Sequence, residues 1–580
     1  MHIIRRKILS TSEHLNHLSP VLQRIYAARG ITSTTELDHR LQCLLPFTLL
    51  TDIDKAARRL EQAVREQQRI LVIGDFDADG ATSSALAVSA LRSMGAKTVE
   101  FLVPNRFEFG YGLTPGIVDV AHKWRPHLII TVDNGIASLE GVDAAAAYGI
   151  DVLITDHHLP GDVLPKACAI VNPNQAGDMF PSKSIAGVGV IFYVMLALRH
   201  QLRSSSYFET TGQAVPNMSH CLDLVALGTV ADVVSLDHNN RILVSQGLAR
   251  IRQGMCRPGI LALIEVAGRE TGALRERDLG FSVAPRLNAA GRLDDMSLGI
   301  DCLLSTDITQ AKALAQALDE LNVERRKIEL EMKEQAIAAL DTLALPHQQK
   351  AGAADLPVAL CLMDESWHQG VIGILAGRLK ERYHRPVIAF AKVSDTELKG
   401  SARSIPELNI RDVLAAIHRD DPTLIKKFGG HAMAAGLSIA PEHFALFQAA
   451  FIREVSQHLE VSACRDEFLT DGPLEEMDLN LNLATLLAEG GPWGQQFPEP
   501  LFDNEFEILD QRLVGQFHLK LLLRLKSGGE AVDAIAFYVD LAQWPNHRAR
   551  YLHAVYKLDI NVYRGRKRLQ LLISALDTTA

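Results

Sequence analysis

The sequence places aspartates at alternate positions in one short segment. Asp75, Asp77 and Asp79 lie within Gly74–Gly80, between the apolar run RILVI and an Ala-rich stretch of helical character. Three ionised carboxylates held close together repel one another, and a bound divalent cation removes that cost. Mg²⁺ and Mn²⁺ prefer oxygen ligands. The segment therefore predicts a metal site, and an Asp-rich turn that caps the following helix is the alternative interpretation.

Further acidic and imidazole side chains follow other apolar runs. Asp133 ends the run HLIITV, and His157 and His158 follow Asp156 at the end of the run DVLIT. A histidine pair after an aspartate at a strand end is less typical of a core than a single histidine. Asp232 follows an apolar helical stretch and, by itself, fits a structural or a functional role equally well. Ligands bind outside the carboxyl ends of strands in open parallel sheets, so we expect these side chains to converge.

Carboxylates and imidazoles in this number can hold two divalent ions about 3.5–4 Å apart. Such a pair of ions activates water, holds a phosphoryl oxygen and stabilises the leaving group. The serines and cysteines near these motifs have no evident base partner, which disfavours covalent nucleophilic catalysis. The expected chemistry is in-line hydrolysis of a phosphoester, with two Mn²⁺ or Mg²⁺ ions as the cofactor.

The elements that must position these residues alternate between strands and helices. From about 55 to 200, apolar runs are separated by helical stretches, which predicts βαβ units and a mostly parallel sheet. Residues 309–341 predict a long, charged helix without Gly or Pro, and a second α/β pattern follows it. Short alternating strands near the C-terminus predict a β-barrel. We therefore expect an α/β protein with two α/β lobes joined by a long helix, plus a C-terminal barrel.

The composition fits a globular protein of several domains. The 580 residues are 47% hydrophobic and 22% charged. No apolar run approaches the roughly 18–20 residues of a membrane span, and the N-terminus is too polar for a secretory signal. The 7 cysteines form no CxxC pair, which favours a reducing cytoplasm over a disulfide framework. The net charge is −10, but residues 511–580 carry +6, so a basic C-terminal module follows an acidic body.

In this order, the segments DFDADG, VDNG and DHH, together with Asp232, resemble the four motifs of the DHH phosphoesterase superfamily. KGSAR (399–403) and GGH (429–431) resemble the DHH-associated domain of these enzymes. With APRLNAAGR (284–292) and a barrel that resembles an oligonucleotide-binding fold, the chain is most similar to the superfamily's single-strand-specific 5′→3′ DNA exonucleases. The resemblance covers roughly residues 50–575.

The resemblance also assigns the domains. We expect an N-terminal helical segment at 1–50, a DHH phosphoesterase domain with the metal site at 51–305, a connecting helix at 306–345, a DHH-associated substrate-binding domain at 346–460, and an oligonucleotide-binding barrel at 461–580.

The resemblance further implies a set of metal ligands. These are Asp77, Asp79, Asp133, His157 and Asp232. Asp133 would bridge the two ions, and His158 would face the scissile phosphate. Many family members have a histidine four residues before Asp77, where this chain has Ile73. Either Asp75 supplies the missing ligand or one metal site is weaker than usual.

Contacts to DNA are implied in the same way. Ser401 and Arg403 would share one face of a strand and bind the terminal 5′ phosphate, with an edge-strand arginine in water as the alternative. Arg106 and Tyr111 lie in a segment that interleaves a cation with aromatics, which suits phosphate contact and base stacking. The other implied substrate-binding residues are Gly429, Gly430, His431, Asn288, Arg292, and the basic barrel cluster Arg564, Arg566 and Arg568, for which a solvated hairpin tip is the alternative.

The main hypothesis is thus a metal-dependent exonuclease that degrades single-stranded DNA from the 5′ end. The runner-up is another DHH enzyme, such as an oligoribonuclease, a nucleotide phosphatase or a pyrophosphatase, all of which lack the terminal barrel. A non-catalytic DNA-binding scaffold is the third hypothesis, disfavoured because all four motifs keep their acidic residues. The resemblance implies roles in DNA repair and recombination, a single-strand-binding protein and a RecQ-like helicase as partners, and a monomer without membrane association.

Overall fold

The computed structural model describes residues 1–8, 13–104, 109–110, 112–343, 356–459, 467–541, 543–563 and 565–579. The chain divides into two compact units. The first contains Met1, Ile3–Asp319 and Phe468–Ala580, and the second contains His2 and Glu320–Glu467. Among the described residues, every helix is too short or too polar to cross a membrane.

The N-terminal segment begins with a strand that the sequence did not predict. Strand β1 (His2–Arg5) pairs with the strand Glu467–Thr470, far along the chain. The predicted helical structure follows, as helix α1 (Pro20–Ala27) and a 3₁₀ helix at Thr34–Leu37. A strand of four residues depends on its partner, so a local pattern does not reveal it.

The first unit contains the predicted parallel sheet, with strand order β3-β2-β4-β5-β6. Three of its strands, at Ile70–Gly74, Leu128–Val132 and Ala169–Val171, are buried along their full length, because helices cover both faces of such a sheet. The strands are β2 (Ile70–Gly74), β3 (Val99–Leu102), β4 (Leu128–Val132), β5 (Asp151–Thr155) and β6 (Ala169–Val171). The α-helices are α2 (Ile53–Arg65), α3 (Ala78–Ser93), α4 (Pro115–His122), α5 (Leu139–Ala147), α6 (Gly187–Ser204), α7 (Tyr207–Thr211), α8 (Leu222–Ala231), α9 (His238–Arg252), α10 (Pro258–Val266), α11 (Glu276–Asp278), α12 (Ala284–Leu293) and α13 (Ser297–Leu304). Shorter 3₁₀ helices lie at Glu13–Leu15, Leu41–Cys43, Phe47–Leu49, Met218–Cys221 and Thr271–Ala273, and a π-helical turn at Leu279–Val283.

The long helix predicted at 309–341 is α14 (Ile308–Leu343), which leads into the second unit. The sheet of that unit has the order β10-β11-β9-β8-β7, in which only β7 and β8 run parallel. The strands are β7 (Leu360–Asp364), β8 (Val387–Ser394), β9 (Glu397–Arg403), β10 (Lys427–Gly430) and β11 (Ala434–Ile439). The helices are α15 (Ile372–Tyr383), α16 (Ile410–Asp420) and α17 (Phe444–His458), with a 3₁₀ helix at Pro441–His443.

The C-terminal region returns to the first unit and forms the predicted barrel. Five strands close in the order β13-β14-β15-β17-β16, and β13 also pairs with β16. The strict alternation of buried residues along β14 fills the barrel with leucines. The elements are β12 (Glu467–Thr470), a 3₁₀ helix at Glu476–Asp478, α18 (Leu481–Glu489), β13 (Phe502–Val514), β14 (His518–Leu525), β15 (Val532–Ala536), β16 (Tyr551–Tyr563) and β17 (Arg566–Thr579).

Candidate functional site

The carboxyl ends of four neighbouring strands lie in one row. Gly74 of β2 pairs with Val132 of β4, Val132 with Thr155 of β5, and Thr155 with Val171 of β6. The register therefore brings together the polar residues that follow each strand. These residues are Asp75, Asp133, Asp156 and Asn172.

The acidic and imidazole side chains at this edge form one continuous cluster. Among the described residues, three groups have ligand atoms that all lie within 4.8 Å of one another: Asp75–Asp77–Asp133, Asp133–His157–His158 and Asp79–His157–Asp232. His157 Nε2 lies 3.1 Å from Asp133 Oδ1 and 3.5 Å from Asp232 Oδ2. Because Asp133 and His157 each belong to two groups, the structure brings together the six sequence-predicted metal ligands and His158, which was predicted to face the scissile phosphate.

Two of the aspartates are fixed by helix N-termini. Asp77 is the N-cap of α3, and its Oδ1 accepts the amide hydrogens of Asp79 and Gly80 at 2.9 and 3.0 Å. The alternative interpretation of a helix cap is thus confirmed for Asp77, and the cap uses only Oδ1 of its carboxylate. The Asp79 carboxylate accepts amide hydrogens from Gly187 at 2.6 Å and Val188 at 3.0 Å, in the first turn of α6. Helix N-termini stabilise negative charge, so both carboxylates are held in fixed orientations.

Close packing around the cluster requires a glycine at the start of α6. A Cβ atom on Gly187 would lie 2.6 Å from Oδ1 of Asp133. Asp133 itself has a φ of 62°, in the left-handed region, which aspartate tolerates better than most residues. The SIAGVG segment (184–189) therefore supplies amide donors and space for two of the acidic motifs.

The cluster is costly to ionise. Burial raises the pKa of Asp79 to about 7, and the charge of Asp77 adds to the effect. Burial, together with the charges of Asp79 and Asp77, raises the pKa values of Asp133 and Asp232. A divalent cation offsets this repulsion, and carboxylate oxygens with one or two imidazoles suit Mn²⁺ or Mg²⁺. The residues present therefore fit such ions.

Asp156 holds His158, a role that the sequence analysis missed. Asp156 Oδ1 lies 2.8 Å from His158 Nδ1, and Asp156 Oδ2 accepts the amide hydrogen of Ile136 at 2.9 Å. Burial alone would raise the pKa of Asp156, but these bonds outweigh it and lower that pKa. Burial acts to lower the pKa of His158, and the Asp156 carboxylate reverses this and raises it to about 9. The contact holds the His158 ring in one orientation, and the raised pKa favours its protonated form.

Asparagines behind the cluster were also missed. Nδ2 of Asn172 donates to the His158 carbonyl at 2.9 Å, and Nδ2 of Asn174 donates to the His157 carbonyl at 2.6 Å. Nδ2 of Asn134 bonds the carbonyls of Ile73 (3.1 Å) and Val132 (2.9 Å), which joins β2 to β4. The available signal was the position of these asparagines within three residues of a strand end.

The position without the family's histidine faces away from the cluster. Ile73 is fully buried in an apolar cluster with Leu71, Ile129 and Ile154. Asp75, by contrast, belongs to a group with Asp77 and Asp133. Of the two alternatives left open by the sequence, this geometry favours Asp75 as the replacement ligand.

A second candidate site lies in the other unit, on β9. Nη1 of Arg403 donates to Ser401 Oγ at 3.1 Å and to the Ala402 carbonyl at 2.8 Å. Burial lowers the pKa of Arg403, and within the described part of the chain no carboxylate pairs with it. A Cβ on Gly373, in the first turn of α15, would lie 2.9 Å from Ser401 Oγ and 3.0 Å from Arg403 Nη2. A guanidinium, a hydroxyl and a helix N-terminus therefore meet, a combination that binds phosphate.

The glycines of the GGH segment extend this surface. Gly429 pairs with Gly436, which in turn pairs with Ser401, so these residues form a row without bulky side chains across three strands. Gly430 has a φ of 141°, and a Cβ there would overlap the Ala434 carbonyl at 2.5 Å. The amide of His431 bonds the same carbonyl at 2.8 Å and closes the hairpin.

The remaining predicted substrate contacts are dispersed. Asn288 Oδ1 accepts the amide hydrogen of Ala78 at 2.8 Å, so it supports the first acidic motif from α12. Arg292 is half-buried in the last turn of α12. Arg566 and Arg568 are exposed at the start of β17. Arg106, Tyr111 and Arg564 lie outside the described residues.

Family models match three regions of the chain. The DHH family, N-terminal domain, matches residues 69–229, the DHHA1 domain matches 355–457, and the RecJ OB domain matches 470–575. These regions contain the parallel sheet, the second unit's sheet and the barrel.

Curated relatives and solved structures agree with these matches. The single-stranded-DNA-specific exonuclease RecJ of Escherichia coli (strain K12) is 52% identical over 569 residues, 98% of each chain. That of Bacillus subtilis (strain 168) is 32% identical over 98% of this chain and 69% of its own. The crystal structure of RecJ in complex with Mn²⁺ from Thermus thermophilus has a TM-score of 0.80 at 29% identity, covering 100% of this chain and 79% of that chain. The structure of the same protein with Mg²⁺ has a TM-score of 0.75 at 27% identity, covering 100% and 78%.

Proposed function

The chain belongs to the RecJ family of single-stranded-DNA-specific exonucleases, and on this premise we propose that it removes mononucleotides from single-stranded DNA in the 5′→3′ direction, in DNA repair and recombination. The observation that carries the proposal is the cluster of five aspartates and two histidines at one sheet edge. Its repelling carboxylates need a divalent cation, and the polymer-binding barrel favours a long substrate over a nucleotide.

Two Mn²⁺ or Mg²⁺ ions fit the proposal. Asp133 would serve both ions because it belongs to two ligand groups, and His157 would join the group of Asp79 and Asp232. Asp75 and Asp77 complete the set. When bound, such a pair of ions supplies an activated water and offsets charge on the scissile phosphate.

The side chains around the proposed ions would orient one another and supply a proton to the substrate phosphate. Asp156 fixes the His158 ring through Nδ1, and the raised pKa of His158 favours an N–H donor toward a phosphate oxygen. Asn288 would act by holding the first turn of α3, on which Asp77 and Asp79 lie, rather than by touching DNA.

The phosphate at the DNA end would bind to Arg403 and Ser401 in the second unit. A half-buried guanidinium whose pKa is lowered gains from an anionic partner, and the first turn of α15 adds amide dipoles. The glycine row through Gly429 and Gly436 lets a nucleic-acid backbone lie close to the sheet. The further proposed contacts with DNA are those of Arg106, Tyr111, Gly430, His431, Arg292, Arg564, Arg566 and Arg568.

The location and partners follow the same proposal. We place the protein in the cytoplasm as a monomer, where a single-strand-binding protein and a RecQ-like helicase would supply its substrate. Pull-down of either partner with the purified chain tests the proposed partners independently of catalysis.

The decisive experiment uses single-stranded DNA of uniform length, labelled at either end, with Mn²⁺ or Mg²⁺. The wild-type protein should release mononucleotides progressively from the 5′ end, and release should stop without metal and in Asp77→Ala. Asp143→Ala, on the exposed side of α5, is the matched control and should remain active. Intact DNA alongside hydrolysed oligoribonucleotides or pyrophosphate would refute the proposal.

A further inference from the structure

One segment of the first unit extends from the barrel to the acidic cluster. At its start, Arg275 Nη1 lies 3.2 Å from Oδ1 of Asp559, on β16 of the barrel. Near its end, Asn288 Oδ1 accepts the amide hydrogen of Ala78, in the first acidic motif, at 2.8 Å. Residues 275–292 therefore connect the barrel with the acidic cluster inside one compact unit.

The middle of this segment packs against the end of α8. A Cβ atom on Gly280 would lie 3.3 Å from Cγ1 of Val230 and 3.8 Å from its carbonyl oxygen. The amide of Val233 bonds the same carbonyl at 3.3 Å. Asp232 of the acidic cluster lies between these two valines in the chain, so Gly280 lies against the turn that carries this aspartate.

The next residue, Phe281, exposes its ring to solvent. Its surface is 85% exposed, the largest fraction among the large apolar side chains in the described part of the chain. Every other residue within 274–293 is at least partly buried. Leu279 and Val283, two residues away on either side, are fully buried and fix the backbone that carries the ring.

The backbone at Phe281 forms the π-helical turn Leu279–Val283. Such turns are rare and are frequent at functional sites. Two arginines brace the turn: Arg269 Nε donates to Ser282 Oγ at 3.0 Å, and Arg286 Nη1 donates to the Ser282 carbonyl. A ring on a fixed backbone loses little conformational freedom when it binds a ligand.

A second apolar side chain is exposed at the same end of α8. Val233 is 65% exposed, and its φ of 58° lies in the left-handed region that β-branched residues rarely adopt. Backbone strain of this kind clusters at functional sites. Protein-binding sites are marked by contiguous apolar patches of more than about a few hundred Å², whereas one exposed ring is sufficient to stack on a nucleobase.

We propose that the Phe281 ring stacks on a base of the DNA strand between the barrel and the acidic cluster, and thereby holds the strand in register for cleavage. This inference rests on the proposed function and adds a substrate-binding residue to it. Stacking tolerates any base, because every base has a π-face. A base inside a duplex is already stacked on both faces, so the contact also favours single strands.

The test combines a change in the protein with a change in the DNA. Oligothymidylates of one length carry a single abasic site at successive positions from a labelled 5′ end, so that release of the labelled nucleotide reports the first cleavage alone. For wild-type protein, kcat/KM should fall about tenfold when the abasic site occupies the position that stacks on Phe281. Phe281→Ala should lose about tenfold on intact DNA and nothing further at that position, because both changes remove the same contact.

Other variants separate stacking from folding and from general apolar contact. Phe281→Trp should retain the wild-type rate, whereas Phe281→Leu should behave like Phe281→Ala, because leucine is apolar but has no ring. All three should melt at the wild-type temperature, since the side chain is exposed. Trp124→Ala is the matched control: Trp124 is 49% exposed and lies between α4 and β4, at the end of the sheet opposite the acidic cluster, so its loss should leave the rate unchanged.

Binding of the same oligonucleotides, measured by fluorescence anisotropy in EDTA, does not need hydrolysis. Phe281→Ala should bind intact DNA about tenfold more weakly than wild type and be insensitive to the abasic site that weakens wild-type binding. If the wild-type protein released no nucleotide, the proposed function would fail, and this measurement would still decide whether Phe281 stacks. Wild-type rates and affinities in Phe281→Ala, or additive losses with an abasic site at every position, would overturn the inference.

Discussion

The edge of the parallel sheet and the face of β9 both carry charged side chains that are at least half-buried, but the charges have opposite sign. At the sheet edge, aspartates are crowded together and their pKa values are raised. On β9, burial lowers the pKa of Arg403. Burial disfavours the charge in each region, and at the sheet edge the neighbouring carboxylates add to this cost. Under the proposed function, a divalent cation would relieve the first region and a phosphate would relieve the second.

The two regions bring their charged side chains together in different ways. The sheet edge uses register: in-register parallel strands end in one row, so residues distant in sequence converge. The face of β9 uses strand alternation, which places Ser401 and Arg403 on one side, and a glycine that lets α15 approach. The sheet edge contains several carboxylates and imidazoles in contact, whereas the face of β9 depends on one guanidinium. Substitutions should therefore cost more activity at the sheet edge.

Removing one central carboxylate should have the largest effect. Asp133→Asn should reduce DNA hydrolysis by about a thousandfold or more, because two ligand groups share Asp133. Without metal, the same variant should melt about 2–4 °C higher than wild type, since a repelling buried charge is gone and asparagine accepts the positive φ. Asp143→Asn should change neither quantity. A lower metal-free melting temperature in Asp133→Asn would contradict the comparison.

Metal removal should make stability depend on pH. The pKa of Asp79 is raised from its ordinary value of 3.8 to about 7. A raised folded-state pKa contributes stability at low pH that is lost as pH rises through the folded value. Metal-free protein should therefore lose stability between about pH 4 and pH 7, while saturating Mn²⁺ should remove much of that loss. Thermal scans at several pH values, in EDTA and in saturating Mn²⁺, measure the difference. If the melting temperature changed with pH in the same way under both conditions, the interpretation would be wrong.

Loss of the Arg403 charge should reduce activity less than loss of the Asp133 charge. Arg403→Met should slow hydrolysis of 5′-phosphorylated DNA by about 10- to 100-fold, because charged hydrogen bonds to phosphate are lost. Its melting temperature should stay equal or rise, since an unpaired buried charge is removed. Arg411→Met, on an exposed turn of α16, is the control. Equal losses on 5′-phosphorylated and 5′-hydroxyl DNA would exclude an end-binding role for Arg403.

The smallest of these effects should come from the residue that orients a histidine. Asp156→Asn removes the carboxylate that raises the pKa of His158 to about 9, so that pKa should fall. We expect a loss of about tenfold in kcat with little change in KM, together with a downward shift of the high-pH limb of the pH–rate profile. A profile identical to that of wild type would remove His158 as the proton donor.

Local pattern was sufficient for much of the fold. The apolar runs predicted all five strands of the parallel sheet, the uninterrupted charged stretch predicted α14, and the alternating C-terminal strands predicted the barrel. These features depend on neighbouring residues and on short-range periodicity. Strand β1 was missed because its partner, Glu467–Thr470, is remote in sequence.

The sequence by itself determined which chemistry the chain could support, because residue types and motif order fix the charges and donors that reach a strand end. Only the tertiary structure decided what each atom does. Ile73 turns into the apolar core while Asp75 joins the acidic cluster, Asn288 supports a helix turn, and Asp79 is held by α6. Such assignments depend on contacts between distant segments, which a local pattern does not contain.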